Sequence, residues 1–179
     1  RITHGDGAAD TRVYDPAGRM IKAVDPLGNE TSHEYDAADR TIKTIDALGN
    51  ETHFSYDEAG NRISVTDPNN HTTQFEYDAN NRLIKTIFPD GSFALIAYDA
   101  NGNKISETDQ AGKTTEYGYD ALNRLVSVTD ALGHSTSYAY DEVGNRISET
   151  DANTNTTFFE YDASGSLIKR ILPLGQSES

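Results

Sequence analysis

Two kinds of short segment alternate along this chain, and both read as β-strand. The first runs like Asn50-Glu51-Thr52-His53-Phe54-Ser55-Tyr56, with Thr, an aromatic residue and Tyr at every second position. Alternation of this kind puts those three side chains on one face of a strand. The second runs like Arg82-Leu83-Ile84-Lys85-Thr86-Ile87, rich in β-branched residues that favour a pleated surface. Between them lie polar turns built on Asp and Gly. No helix is predicted anywhere.

The alternation is strictly periodic. Tyr-Asp recurs eight times, as Tyr14-Asp15, Tyr35-Asp36, Tyr56-Asp57, Tyr77-Asp78, Tyr98-Asp99, Tyr119-Asp120, Tyr140-Asp141 and Tyr161-Asp162, always 21 residues apart. Self-similarity at a fixed short period marks a repeat architecture, in which each unit buries its apolar surface only against its neighbours. We number each repeat from its Tyr as position 1. Position 5 is Gly18, Gly60, Gly102, Gly144 or Gly165 in five repeats, Asn81 or Asn123 in two, and Asp39 in the remaining one. Position 12 is Asp in six repeats, with Phe88 and Leu172 in the others, and position 15 is Gly in six, including Gly175, with Asn70 and Thr154 as exceptions. The unit thus carries Asp-x-x-Gly twice.

Asp-x-x-Gly has a turn mechanism. Type I turns favour Asp at the first position, Pro at the second and Gly at the fourth, as in Asp15-Pro16-Ala17-Gly18 and Asp25-Pro26-Leu27-Gly28. Gly or Asn at the end of the motif suits the positive φ of a G1 bulge, a common hairpin closure. The expected fold is all-β: an antiparallel hairpin meander of about sixteen strands, curled into a spiralling or open shell-like sheet, because flat twisted sheets rarely exceed about ten strands. Residues 1–13 read as a degenerate partial repeat, 14–176 as eight repeats and 177–179 as a tail, one array that is expected to be a piece of a larger protein.

Two features complicate the meander. Position 8 is Ile or Val and position 11 is Val, Ile or Thr in every repeat, yet they have opposite parity, so a regular strand cannot bury both. A bulge or a two-sided environment is required. Repeats 3, 5 and 7 also share Gly-Asn-Arg/Lys-Ile-Ser, from Gly60, Gly102 and Gly144, which makes a 42-residue superperiod. Repeats 4 and 8 lack the second Asp and read Ile87-Phe88-Pro89-Asp90-Gly91 and Ile171-Leu172-Pro173-Leu174-Gly175.

Composition changes the picture little. Leu, Ile, Val and Phe supply only 34 of 179 residues, and the net charge is −14, values that in an aperiodic chain would point towards disorder. Here the apolar residues fall at fixed repeat positions, which overrules that reading. The negative charge argues against nucleic acid, heparin-like polymers and anionic membranes as partners. Cysteine is absent, which removes disulfides and thiolate metal sites, and no apolar stretch is long enough to insert in a membrane as a helix.

Candidate chemistry is sparse. Fourteen of eighteen aspartates occupy the two turn positions, where an Asx side chain caps its own turn, so turn structure outweighs a calcium reading. Position 20 holds His33, Phe54, Phe75, Ile96, Tyr117, Tyr138 and Phe159. This row is expected to pack across strands, with a sugar-stacking platform as the alternative. The histidines His4, His33, His53, His71 and His134 form no metal-ligand pair, and no nucleophile elbow or phosphate loop is present. No catalytic, cofactor or metal residues are predicted.

Tyr-Asp-x-x-Gly-Arg/Asn-Arg/Leu-Ile followed by Asp-Pro-Leu-Gly-Asn resembles the RHS/YD-repeat family over nearly the whole chain, from about residue 10 to 176. That family includes shell repeats of bacterial polymorphic toxins, C components of insecticidal ABC toxins, and teneurins. The resemblance implies a non-enzymatic structural segment of a large bacterial exported or surface protein, forming part of an encapsulating β-shell for a C-terminal toxin or effector. Its implied partners are the remainder of its parent chain (an associated core and the enclosed effector) or further copies of itself, and its implied location is secreted or cell-surface. Nothing in the chain matches the self-cleaving core or an effector. The alternative is a surface adhesion module that recognises carbohydrate.

Overall fold

The structure, a computed structural model, describes residues 2–3, 9–173 and 177–178. His4, Leu174 and Gly175 lie outside the described residues. The chain forms two compact units, residues 1–92 and 93–179. The first contains β1 (Ile2–Thr3), β2 (Ala9–Tyr14), β3 (Met20–Val24), β4 (Glu30–Tyr35), β5 (Thr41–Ile45), β6 (Glu51–Tyr56), β7 (Arg62–Thr66), β8 (Thr72–Tyr77) and β9 (Leu83–Ile87). The second contains β10 (Phe93–Tyr98), β11 (Lys104–Thr108), β12 (Thr114–Tyr119), β13 (Leu125–Thr129), β14 (Ser135–Tyr140), β15 (Arg146–Thr150), β16 (Thr156–Tyr161), β17 (Leu167–Ile171) and β18 (Ser177–Glu178). Within each unit every strand pairs antiparallel with the next, and no helix occurs among the described residues. The expected all-β hairpin meander is observed.

Both turns of the repeat close in the same way. In the first, the N–H of Gly18 donates to the Asp15 carbonyl at 3.0 Å and the N–H of Asp15 donates to the Arg19 carbonyl at 2.9 Å. The Asp15 carboxylate then accepts the N–H groups of Ala17 at 3.0 Å and Arg19 at 2.9 Å. Asp25 repeats the arrangement with Leu27 and Asn29, each at 2.8 Å. The last turn residue sits in the left-handed region: φ is +84° at Gly18 and +91° at Gly60, and Asp39, the exception in sequence, is held there too at +62°. Where repeat 4 lacks its second Asp the turn still forms, with the Gly91 N–H donating to the Phe88 carbonyl at 2.9 Å. Asp90, two residues on, accepts the Ser92 N–H in compensation.

The parity conflict is resolved by a bulge. Tyr14 faces Met20 and Val13 faces Lys22, so Ile21 at position 8 has no partner across that hairpin. The same shift recurs at each later first-turn hairpin within the two units. Second-turn hairpins are regular, as in Lys22 facing Ser32. Residues directly opposite share a face. Val13, Lys22 and Ser32 therefore share one face, and Glu34, two residues beyond Ser32, joins them. Without the bulge, Val13 would face Ile21 and then His33, and every repeat would be turned over relative to the last. Within each unit the bulge keeps the position-1, position-18 and position-20 side chains on one face. It also staggers the sheet, since the residue two strands across from position 21 is position 19.

No side chain among the described residues is buried. Along β6, Thr52, Phe54 and Tyr56 are half-buried while His53 and Ser55 are exposed, and β8 and β16 repeat this pattern. Each unit is one layer thick, with both faces open. The aromatic residues are half-covered by their lateral neighbours, and no second layer of either unit lies over them.

The turn geometry makes a signed prediction. Gly60→Val places a β-branched residue at φ +91° and should destabilise by about 1 kcal/mol or more, whereas Gly60→Asn, the residue type of Asn81 and Asn123, should cost less. Thr154 already carries the strain of a β-branched residue at φ +66°, so Thr154→Gly should stabilise by about 1 kcal/mol. Urea titration of the three variants checks all the signs; a neutral Gly60→Val would contradict the left-handed conformation of the last turn residue.

Candidate functional site: the aromatic face and its cations

The bulge fixes the role of the repeat tyrosine. The hydroxyl of Tyr35 donates to the Met20 carbonyl at 2.7 Å, and Tyr56 reaches Thr41 at 2.8 Å. Tyr77, Tyr119, Tyr140 and Tyr161 reach Arg62, Lys104, Leu125 and Arg146 at 2.8–3.0 Å. Each acceptor is the position-7 residue of the preceding repeat, where the bulge interrupts the ladder. Phe could fill the same space without satisfying that oxygen. At these six tyrosines the hydroxyl ties a repeat to the one before it.

Position 6 adds a second tie. The Arg19 guanidinium lies 5.0 Å from the Tyr35 ring centre, and Arg40 and Arg124 lie 4.8 and 4.9 Å from the rings of Tyr56 and Tyr140. Each arginine also bonds the position-2 aspartate of its own repeat, as Arg19 Nε does to Asp15 at 2.7 Å. Each reaches forward as well, to the backbone carbonyl of Asp36, Asp57 or Asp141 at 2.8–3.0 Å. A planar guanidinium can lie flat on a ring while its edges donate several hydrogen bonds.

In repeats 3, 5 and 7 the cation moves by one residue. Position 6 becomes Asn61, Asn103 and Asn145, each donating to its own position-2 aspartate at 2.9 Å. Asn61 and Asn103 also reach Asn81 and Asn123 of the next repeat at 2.8 Å. Position 7 becomes Arg62, Lys104 and Arg146, which lie over the position-20 rings. Arg62 stands 5.9 Å from Phe54 and 5.4 Å from Phe75; Arg146 stands 5.6 Å from Tyr138 and 4.8 Å from Phe159; Lys104 stands 4.7 Å from Tyr117. The superperiod is an alternation of cation–aromatic contacts between the Tyr row and the position-20 row. These cations were not singled out by sequence reasoning, although the change from Arg-Leu to Asn-Arg at positions 6 and 7 was the available signal.

The opposite face has a different chemistry. Glu34, Glu76 and Glu160 face Lys43, Lys85 and Lys169 directly across the hairpins, at 3.5, 3.0 and 3.1 Å. Exposed pairs of this kind contribute little stability and keep the face polar.

The repeated aspartates are consumed by their turns. At Asp15, Asp36 and Asp120 the N–H of the position-6 residue, followed by its guanidinium, holds the carboxyl below its usual range. At Asp57 and Asp99 the position-6 asparagine amide is the main cause of the same lowering. Their oxygens are already accepting protein donors, and among the described residues no group of three or more His, Asp or Glu is placed to hold a metal. His71 and His134 bond the turn aspartates Asp67 and Asp130 at 3.1 and 2.9 Å, and His53 bonds Glu51.

Known proteins place this architecture. The RHS Repeat family model matches residues 14–51, 35–72, 56–92, 98–135, 119–156 and 140–177. Among solved structures, the Photorhabdus luminescens Tc holotoxin pore carrying TccC3-D651A matches with a TM-score of 0.65 and 17% identity, over 94% of this chain and 12% of that one. The TcdB2-TccC3 complex matches at a TM-score of 0.40 and 16% identity, over 91% of this chain and 13% of that one. The chain thus spans about an eighth of the length of these toxin-complex chains. No curated protein matches the sequence.

Two measurements test the site. Tyr56→Phe should cost about 1 kcal/mol through the orphaned Thr41 carbonyl, whereas Tyr14, 53% exposed and without such a bond, should tolerate Phe. Equal effects in urea titration would show that the hydroxyl ladder contributes nothing. The turn aspartates set the pH dependence. At Asp15, Asp36, Asp57, Asp99 and Asp120 the folded pKa lies below the unfolded value, so their stabilisation is present above the unfolded value, about 4, and is lost as pH falls through the folded values. The urea midpoint should therefore drop on acidification below pH 4; a midpoint that rises there would contradict the capping role.

Proposed function

The chain belongs to the RHS repeat family, and on that premise we propose that it is a non-enzymatic wall segment of a large exported or surface protein, part of a β-shell around a C-terminal effector. The observation that carries this reading is the single-layer sheet of each unit, built from strands of five or six residues with no buried side chain among the described residues. A wall needs two accessible faces and strong lateral continuity, and a catalytic domain needs a convergent pocket. The ladder of tyrosine hydroxyls and arginines supplies continuity from repeat to repeat. The stagger of two residues per repeat favours a sheet that winds over one that lies flat. The Tc toxin likeness supports the same architecture at low identity. The partners of the segment are then the rest of its own chain and what that chain encloses, and its location is secreted or cell-surface.

One observation favours the adhesion reading: the position-20 aromatics are only half-covered, as a sugar platform requires. Two experiments decide. In the parent protein, the segment following the repeats should resist limited proteolysis until the array is unfolded by acid or urea; digestion at the rate of the free segment would sink the shell. Phe75→Ala and Tyr77→Ala should lower the stability of this chain and leave a glycan array blank. Unchanged stability together with lost binding to a specific glycan would establish the adhesin instead.

A further inference from the structure

The array contains its own comparison series at position 7. Lys104 and Arg146 each carry a carboxylate partner three residues on: Lys104 Nζ bonds Glu107 at 2.5 Å, and Arg146 Nη1 lies 3.1 Å from Glu149. Position 10 is the seat of that carboxylate. In repeat 3 the same place is Val65, and among the described residues no carboxylate pairs with Arg62. The surroundings are otherwise alike. Val65 faces Phe54 on β6 and Thr73 on β8, as Glu149 faces Tyr138 and Thr157. The residues of β6 and β8 that share this face are Thr52, Phe54, Tyr56, Thr73, Phe75 and Tyr77, none of them acidic.

We propose that Arg62, clamped between Phe54 and Phe75, is a seat for an acidic side chain of a polypeptide lying against the aromatic face. Glu107 and Glu149 are the built-in images of that ligand, one supplied to each sister site by the chain itself. The two phenyl rings engage the guanidinium and restrict its motion, while its N–H edges stay open to a carboxylate in the forked geometry that arginine favours. Val65 supplies an apolar floor for the methylenes of a glutamate. In a chain of net charge −14, this is a point on the aromatic face where an acidic partner meets attraction.

The whole chain suffices for the test, which does not depend on the shell reading. The Arg Nε–Hε signals are followed by NMR while N-acetyl-glutamate N-methylamide is added at constant ionic strength, with sodium chloride and sodium glucuronate as parallel titrants. A saturable shift at Arg62, absent at Arg146, is expected. Val65→Glu, a residue that the sister repeats accommodate, should abolish the response and move the Arg62 signal towards that of Arg146 without any ligand. Equal responses at Arg62 and Arg146, or an equal response to chloride, would overturn the seat. A larger response to glucuronate than to the glutamate amide would overturn its assignment to polypeptide.

Discussion

The fold rests on one register constraint. Two turns and two strands of five and six residues make an odd-numbered repeat, and an unbulged meander with that count would turn each repeat over relative to the last. The bulge at position 8 absorbs one residue and restores the facing. Everything else on the aromatic face presupposes it: the Tyr row, the position-20 row and the cations that lie over both exist only because like positions fall on like sides. The bulge also leaves the position-7 carbonyl outside the regular ladder. The hydroxyl of the next tyrosine fills that vacancy, so the feature that interrupts one hairpin becomes the link to the next.

A sheet without a core must draw its stability from local and nearest-neighbour terms, as solenoids do. The turns that start with Asp are closed by backbone bonds and by the Asx carboxylate, which typically accepts two N–H groups, as at Asp15 and Asp25. Within each unit neighbouring repeats are joined by a tyrosine hydroxyl and, at Arg19, Arg40 and Arg124, by an arginine that bonds its own aspartate and stacks on the next ring. Among the titratable groups of these links, Asp15, Asp36, Asp57, Asp99 and Asp120 are held below the usual carboxylate range and give up their charge only as pH falls through it. The polar ion pairs on the opposite face add little energy, but their regular spacing keeps that face wet and distinct from the aromatic one.

Much of this was legible in the sequence because the period repeats each signal eight times. Asp-x-x-Gly gave the turns and the positive-φ positions, and alternation of Thr, aromatic and Tyr gave the face. The conflict between positions 8 and 11 gave the need for a bulge without deciding it. The remaining features depend on pairing across strands. Which strand residue lacks a partner follows from the register of both hairpins together, and the tyrosine hydroxyl finds its acceptor fifteen residues back, in a different hairpin. The alternation placed the aromatic row on one face, but strands covered on one side and strands covered on neither show the same alternation, so how far the row is covered depends on the number of layers, which a repeat sequence does not encode.

The 42-residue superperiod then has a structural meaning. With arginine at position 6, the cation joins the Tyr row and the turn aspartate; with the cation at position 7, it joins the position-20 row and leaves the turn to asparagine. A single-step shift thus changes which part of the aromatic face is cationic without altering strand, turn or register. Because the backbone is indifferent to the choice, position 7 and the nearby position 10 are free to differ between repeats. Repeats 5 and 7 use that freedom to neutralise the cation internally, and repeat 3 leaves it open beside Val65. Variation confined to side chains of one face, on a scaffold held constant by the bulge and the turns, is the arrangement by which a uniform repeat sheet can offer a non-uniform surface.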